Sequence, residues 1–138
     1  MKYMLIMRAT PAAHEASADV DFAEVVEAMG RYNGSLIDAD VLVSAEGLAP
    51  AAEGVVIDFD QTPPVVTDGS YGETHELFDG YWIIDVADRA AAVEWGSRAP
   101  LGPGVKLEVR RVPSIDEFPF DDEWTRKERA WRESRGQL

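Results

Sequence analysis

Two stretches of the sequence repeat their apolar residues at three- and four-residue steps, and each is bracketed by short runs rich in β-branched and aromatic residues. In the first stretch Phe22, Val25, Val26, Met29, Tyr32 and Leu36 recur, with Glu24, Glu27 and Arg31 on the other side. This is the period of an amphipathic helix of about four turns. Asp21 stands where it can cap the first free amides, and Glu24 three positions later completes the pattern of a capping box. In the second stretch Ala91, Ala92, Trp95 and Ala99 form the stripe; Asp88 precedes it as a cap and PLGPG at 100–104 stops it. The strand-like runs are KYMLIM at 2–7, a short one at 41–43, GVVIDFD at 54–60, PVVT at 64–67, GYWIIDV at 80–86 and VKLEVRRV at 105–112. The last alternates, with Val105, Leu107 and Val109 on one side and Lys106, Glu108 and Arg110 on the other. Residues 10–21 read as an irregular connection, and Thr62, Pro63 and Pro64 as the stiff link of a hairpin.

The resulting order, β-α-β(ββ)-α-β, predicts an α+β fold in which an antiparallel sheet carries its helices on one face. That is the ferredoxin-like split βαβ arrangement, here with an extra β-hairpin between its halves. A flavodoxin-like fold would need more crossover helices than the chain offers. Two short helices cannot cover both faces of such a sheet. Tyr3 and Leu5 alternate with Met4 and Ile6, and Tyr81 and Ile83 with Trp82 and Ile84, so both faces of these strands are apolar. A homodimer that joins or stacks two sheets into a barrel-like assembly is the expected cover. The other solution is the hairpin folding across the open face of its own sheet.

Charge and composition narrow the function. The 138 residues suit one core. The formal charge of −13, from 26 acidic against 13 basic residues, argues against direct contact with nucleic acid or an anionic membrane. Cysteine is absent, so the chain has no thiolate nucleophile and no cysteine metal ligand. No long apolar segment follows the opening run, which makes a cytoplasmic location the expectation. The spacing of His, Asp and Glu matches no metal motif, and no phosphate-binding glycine loop or hydrolase elbow is present, so neither a metal nor a cofactor is expected.

Residues 120–138 are distinct in composition. Five basic residues (Arg126, Lys127, Arg129, Arg132, Arg135) balance five acidic ones (Asp121, Asp122, Glu123, Glu128, Glu133), so the excess negative charge lies upstream. Glu123 with Lys127 and Glu128 with Arg132 are spaced as helical ion pairs in the favourable order. Trp124 and Trp131, seven apart, share one side of that helix. They are expected to fasten it to the body or to a partner subunit, or to form a site for another protein.

The opening MKYMLIM, the segment ADVLVSAEGLAP at 39–50, VTDGSYGETHELFDGYWIIDV at 66–86 and LEVRRV at 107–112 together resemble the DGPF-domain family of the YCII-related superfamily. The resemblance runs over residues 1–112, with 113–138 as a C-terminal extension. It implies a ferredoxin-like fold assembled as a dimer, in small bacterial proteins of unestablished activity, many encoded beside sigma factors of RNA polymerase. Of the motif that names the family, Asp68 and Gly69 are retained, while Ser70 and Tyr71 replace its proline and phenylalanine. The first change loosens the turn; the second adds a hydroxyl that needs water or a polar partner.

The richest chemical segment is TDGSYGETHELFDGY at 67–81. If it is extended, Glu73 and His75 share a side and pair a carboxylate with an imidazole, the minimum for acid–base work. If it is helical, Glu73 and Glu76 are the neighbours. The predicted site is a cleft near 68–76 with Glu73 and His75 as the catalytic pair. Glu46, Asp68 and Tyr71 line it, and Arg8 and Arg111 are the counter-charges for an anionic group. His14, just beyond the first strand, is assigned no role. The expected function is binding or conversion of a small polar metabolite. The alternative is a non-catalytic interaction or regulatory protein, linked to sigma-factor control, that meets its partner through the C-terminal helix.

Overall fold

The computed structural model describes residues 1–70, 75–119 and 121–137. Four strands form one antiparallel sheet: β1 (Lys2–Ala9), β2 (Leu42–Gly47), β5 (Leu77–Asp85) and β6 (Val105–Arg111), in the order β2-β5-β1-β6. Helix α2 (Phe22–Asp38) leads from β1 to β2 with β5 between them. Helix α3 (Arg89–Ser97) leads from β5 to β6 with β1 between them. Two interleaved split βαβ units of this kind are the ferredoxin-like topology. Strands β3 (Val55–Asp58) and β4 (Val65–Asp68) make a separate two-stranded hairpin, with Val56 opposite Thr67 and a cis Thr62–Pro63 bond in its link. Most of its side chains are exposed, so it does not close the open face of the main sheet.

The register separates the two faces. Leu5 stands opposite Trp82 and Val109, and Tyr3 opposite Ile84; these residues meet the helices. Leu5, Ile84 and Leu36 of α2 are fully buried, and Tyr32, Trp82, Val86 and Ala92 complete the core around them. The Tyr32 and Trp82 rings meet edge to face, 5.6 Å apart at 84°. Trp82 Nε1 donates to Asn33 Oδ1 at 2.8 Å, and the Tyr32 hydroxyl donates to the Trp95 carbonyl at 3.1 Å, so both buried polar tips are satisfied. The other face carries Met4, Ile6, Phe78, Tyr81 and Ile83, none of which reaches full burial.

Several elements depart from the sequence-based expectation. The stretch read as an irregular connection contains a short helix, α1 (Pro11–Ser17). Thr10 caps it by accepting the Ala13 amide on its hydroxyl at 3.2 Å, and Pro11 occupies the first position. Every residue of α1 lies outside the core, so no apolar stripe marks it. Asp21 caps α2 by accepting from the Ala23 amide at 2.9 Å, without the reciprocal arm from Glu24. The apolar stripe of α2 is buried only in its second half, and Phe22 is 78% exposed. Strand β2 extends to Gly47 rather than stopping at Val43, and β5 begins at Leu77 rather than Gly80.

Beyond β6 a 3₁₀ turn (Ile115–Glu117) buries Ile115 and leads to α4 (Glu123–Ser134), capped by Asp122. The tryptophans do not fasten α4 to the body of their own chain. Trp124 is 70% and Trp131 51% exposed, while Thr125, Arg129 and Arg132 are the partly covered residues of α4. Arg129 Nε donates to Asp116 Oδ1 at 2.9 Å, and Lys2 Nζ donates to the Gln137 carbonyl just beyond α4. Polar side chains hold this helix to the body, and the aromatic ones face away. Among the described residues no helix is long and apolar enough to cross a membrane.

Candidate functional site

The sheet end where β1 and β2 finish and β5 begins concentrates the polar chemistry. Gly80 makes the close packing there feasible: a Cβ at this position would stand 2.7 Å from the Glu46 carbonyl oxygen and 3.2 Å from Gly47 Cα. Beside this contact a cavity of about 280 Å³ opens between α2 and the strands, lined by Met7, Met29, Asn33, Glu46, Tyr81 and Trp82 among others. Its walls are largely apolar, with Asn33 and Glu46 as polar points, the usual character of a small-molecule site.

Next to Gly80 the ladder is irregular. Met7 pairs with Gly80 but Arg8 pairs with Phe78, so Asp79 is the extra residue of a β-bulge. Its carbonyl accepts the Leu48 amide at 2.7 Å, which ties the bulge to the segment after β2. Bulges redirect side chains, and here the Asp79 carboxylate meets the imidazole of α1: His14 Nε2 lies 2.9 Å from Asp79 Oδ2. The Asp79 side chain is 21% exposed and that of His14 44%. Burial raises the Asp79 carboxyl above the usual carboxylate range, and the His14 charge and hydrogen bond oppose that rise. Helix α1 is itself fixed by a turn at Gly104, whose carbonyl accepts the Thr10 amide at 3.1 Å and whose positive φ of 82° suits glycine.

A charged rim lies at the same sheet end. Arg8 Nη2 is 3.0 Å from Glu108 Oε2, and Lys106 Nζ donates to Glu76 Oε1. The Lys106 hydrogen bond holds the Glu76 carboxyl below its ordinary range, with the charges of Arg8 and His75 adding to it. Arg8 Nε is buried without a hydrogen-bond partner among the described residues.

The residues singled out in the sequence are therefore divided. Arg8 and Glu46 stand at this sheet end, and His75 is an exposed residue just before β5. Tyr71 and Glu73 lie outside the described residues. Asp68 closes β4 and pairs with Val55 in the hairpin, where Gly69 follows with φ of 103° and its amide donates to the Gly54 carbonyl at 2.8 Å. Asp68 thus has a turn-forming place. Arg111 is at the far end of β6, opposite Tyr3, whereas Arg8 is opposite Lys106. Five residues of strand separate them, roughly 17 Å, so the two arginines cannot hold one small anion together. Arg111 instead pairs with Glu117 at 2.5 Å.

His14 and Asp79 were missed as a pair. Sixty-five positions separate them, and the only trace in the sequence is that each is polar next to a strand end. Among the described residues no three His, Asp or Glu side chains converge as a metal site would require. The model of the YCII-related domain matches residues 1–115. No curated protein matches the chain.

Proposed function

The chain belongs to the YCII-related domain family, and on that premise we propose that it binds a small polar metabolite at the β1–β2–β5 sheet end and exchanges a proton with it through His14. The observation that carries this reading is the 2.9 Å contact of His14 Nε2 with Asp79 Oδ2 at the end of the sheet that holds the 280 Å³ cavity. A carboxylate that accepts from Nε2–H fixes the tautomer and leaves Nδ1 with its lone pair, so the imidazole can take a proton and be stabilised when it does. A half-buried, negatively charged partner does this without donating a proton of its own. Arg8 and Lys106 at this sheet end are already paired with Glu108 and Glu76, so His14 and the polar points Asn33 and Glu46 are the groups that address a ligand.

The cleft first expected near residues 68–76 is thereby moved to the bulge, with Glu46 and Arg8 kept and His14 and Asp79 added. We place the chain in the DGPF-type branch on the retained Asp68, Gly69, Glu46 and Gly47. We further propose that it works as a homodimer of the α+β barrel kind, two sheets packing through Met4, Ile6, Phe78, Tyr81 and Ile83. The exposed hairpin leaves that face open within one chain, which supports the assembly.

The test is a thermal-shift screen of small carboxylates and phosphates on the wild type, repeated on His14→Ala and Asp79→Asn. A ligand of this site stabilises the wild type and loses its effect in both variants. A hit that raises all three midpoints equally removes the pair from the site.

A further inference from the structure

We propose that Asn33 selects what enters the cavity between α2 and the sheet: the end of the ligand that lies there is an uncharged group with a bare acceptor oxygen, the carbonyl of a ketone, aldehyde, ester or amide. This rests on the reading that the cavity beside Gly80 is the ligand site, and it adds the chemical class which that reading leaves open.

The first observation is how the amide is held. Trp82 Nε1 donates to Asn33 Oδ1 at 2.8 Å. An indole nitrogen can only donate, so the amide oxygen faces it and the amino group is turned away. The core locks that orientation, because Trp82 is buried and meets the Tyr32 ring edge to face. The amino group then finds no acceptor among the described residues, yet it is not one of the polar atoms shut away from solvent. Asn33 lines the cavity, so its free donors open there. A fixed donor in a largely apolar wall is complemented by an acceptor.

The second observation is charge. The described residues that line the cavity include no lysine, arginine or histidine, and Glu46 is the one charged side chain among them. An anionic group would enter without a counter-charge and against a carboxylate, which is costly where water is excluded. A protonated amine would set its own donors against the Asn33 amino group. A carbonyl meets neither obstacle, and any charged group elsewhere on the ligand stays outside the cavity.

The third is shape. Gly47 stands opposite Gly80, and Ala45 opposite Trp82. Ala45 packs against the core, and Gly47, two positions on, points the same way. A Cβ at Gly47 would meet nothing within 4 Å, so the space beside it is unfilled. Met29, one turn before Asn33 on α2, and Met7 of β1 supply adaptable apolar walls. At about 280 Å³ the cavity suits a compact ligand with an apolar body.

Three probes of one shape test this on the ¹⁵N-labelled full chain by nuclear magnetic resonance titration: cyclohexanone, which only accepts, cyclohexanol, which accepts and donates, and cyclohexylammonium, which only donates. The wild type binds the ketone roughly tenfold more tightly than the ammonium ion, and the ketone moves the Asn33 side-chain amide signals. Asn33→Asp keeps an oxygen for Trp82 Nε1 and puts a second oxygen where the amino group was. In this variant the order of ketone and ammonium ion reverses, whereas loss of a merely structural contact would weaken all three probes alike. Gly47→Val, which fills part of the cavity without a clash, weakens every probe. If Gly47→Val weakens binding but Asn33→Asp keeps the wild-type order, the cavity is the site and Asn33 does not select, which overturns this proposal alone. If cyclohexanone binds Gly47→Val as tightly as the wild type, or fails to bind the wild type at millimolar concentration, the cavity does not receive a carbonyl group and the proposal falls; the first of these outcomes also removes the cavity from the ligand site.

Discussion

Glycine 80 and glycine 34 are both embedded in regular elements, yet the structure asks different things of them. At Gly80 a Cβ meets the main chain of β2, which cannot rotate away. Gly80→Ala should therefore cost ~1–3 kcal/mol by overpacking and push β2 away from the wall of the cavity, seen as a lower midpoint in chemical denaturation. At Gly34, within α2, a Cβ meets nothing within 4 Å. Gly34→Ala should add up to ~1 kcal/mol through helix propensity. Asp79 is a third case. Its carboxyl is raised by burial, so the stability it gives is present at low pH and is lost as pH rises through the folded-state value. At neutral pH the ionised group is a net burden on the free protein. Asp79→Asn should leave the melting temperature at pH 7 unchanged or higher while abolishing ligand stabilisation, the trade expected of a functional residue. A clear fall in melting temperature would assign Asp79 to structure instead. Nothing in the string FDGYW announces this role, because a bulge is a property of two paired strands and only one of them is written there.

Elements were legible where their periodicity met the core. Strand β6 alternates in sequence because one side of it packs on Leu5 and Met7 and the other does not. The hairpin was legible from β-branched runs around prolines, and α3 from its cap at Asp88, which accepts the Ala91 amide at 2.9 Å. Helix α1 was not legible, since a helix that buries no side chain has no stripe to read. The tryptophans of α4 are legible as apolar residues on one side of a helix, and nothing in one sequence says what covers them. The link from β6 to α4 depends on Glu117, which accepts from Arg111 at 2.5 Å and from the Ser114 amide at 2.9 Å. These bonds, Arg111 first, hold its carboxyl down to about 2, well below the ordinary glutamate range. A depressed carboxylate stabilises above its unfolded value and loses that contribution as pH falls through the folded one. Melting temperature should accordingly drop between about pH 4.5 and 2, and Glu117→Gln should start lower and show a flatter fall over that window. A variant that follows the wild-type curve throughout would remove Glu117 from the acid response.

At the scale of the molecule, two features pull in opposite directions. The open sheet face presents Met4, Ile6, Phe78, Tyr81 and Ile83, a contiguous apolar surface that favours covering. The net charge of −13 on each chain opposes any approach of two copies. Apolar burial does not depend on the Debye length, whereas the repulsion does: raising salt from about 0.1 to 1 M shortens that length from about 10 to 3 Å. The sheet dimer should therefore tighten as salt increases, and an interface built on ion pairs would loosen. Ile83→Asp is the decisive change. Ile83 lies opposite Met4 and Ser44 on the open face, away from Leu5 and Ile84, so an aspartate leaves the helix-covered core untouched. In a dimer it would put a carboxylate into the buried centre of the interface without a partner, which is among the costliest single changes an interface can suffer. Light scattering at micromolar concentration should give a dimer for the unsubstituted protein and a monomer after Ile83→Asp, with the same circular dichroism. If the unsubstituted protein is already monomeric at 1 M salt, the open face is not a subunit interface and its apolar residues serve another partner.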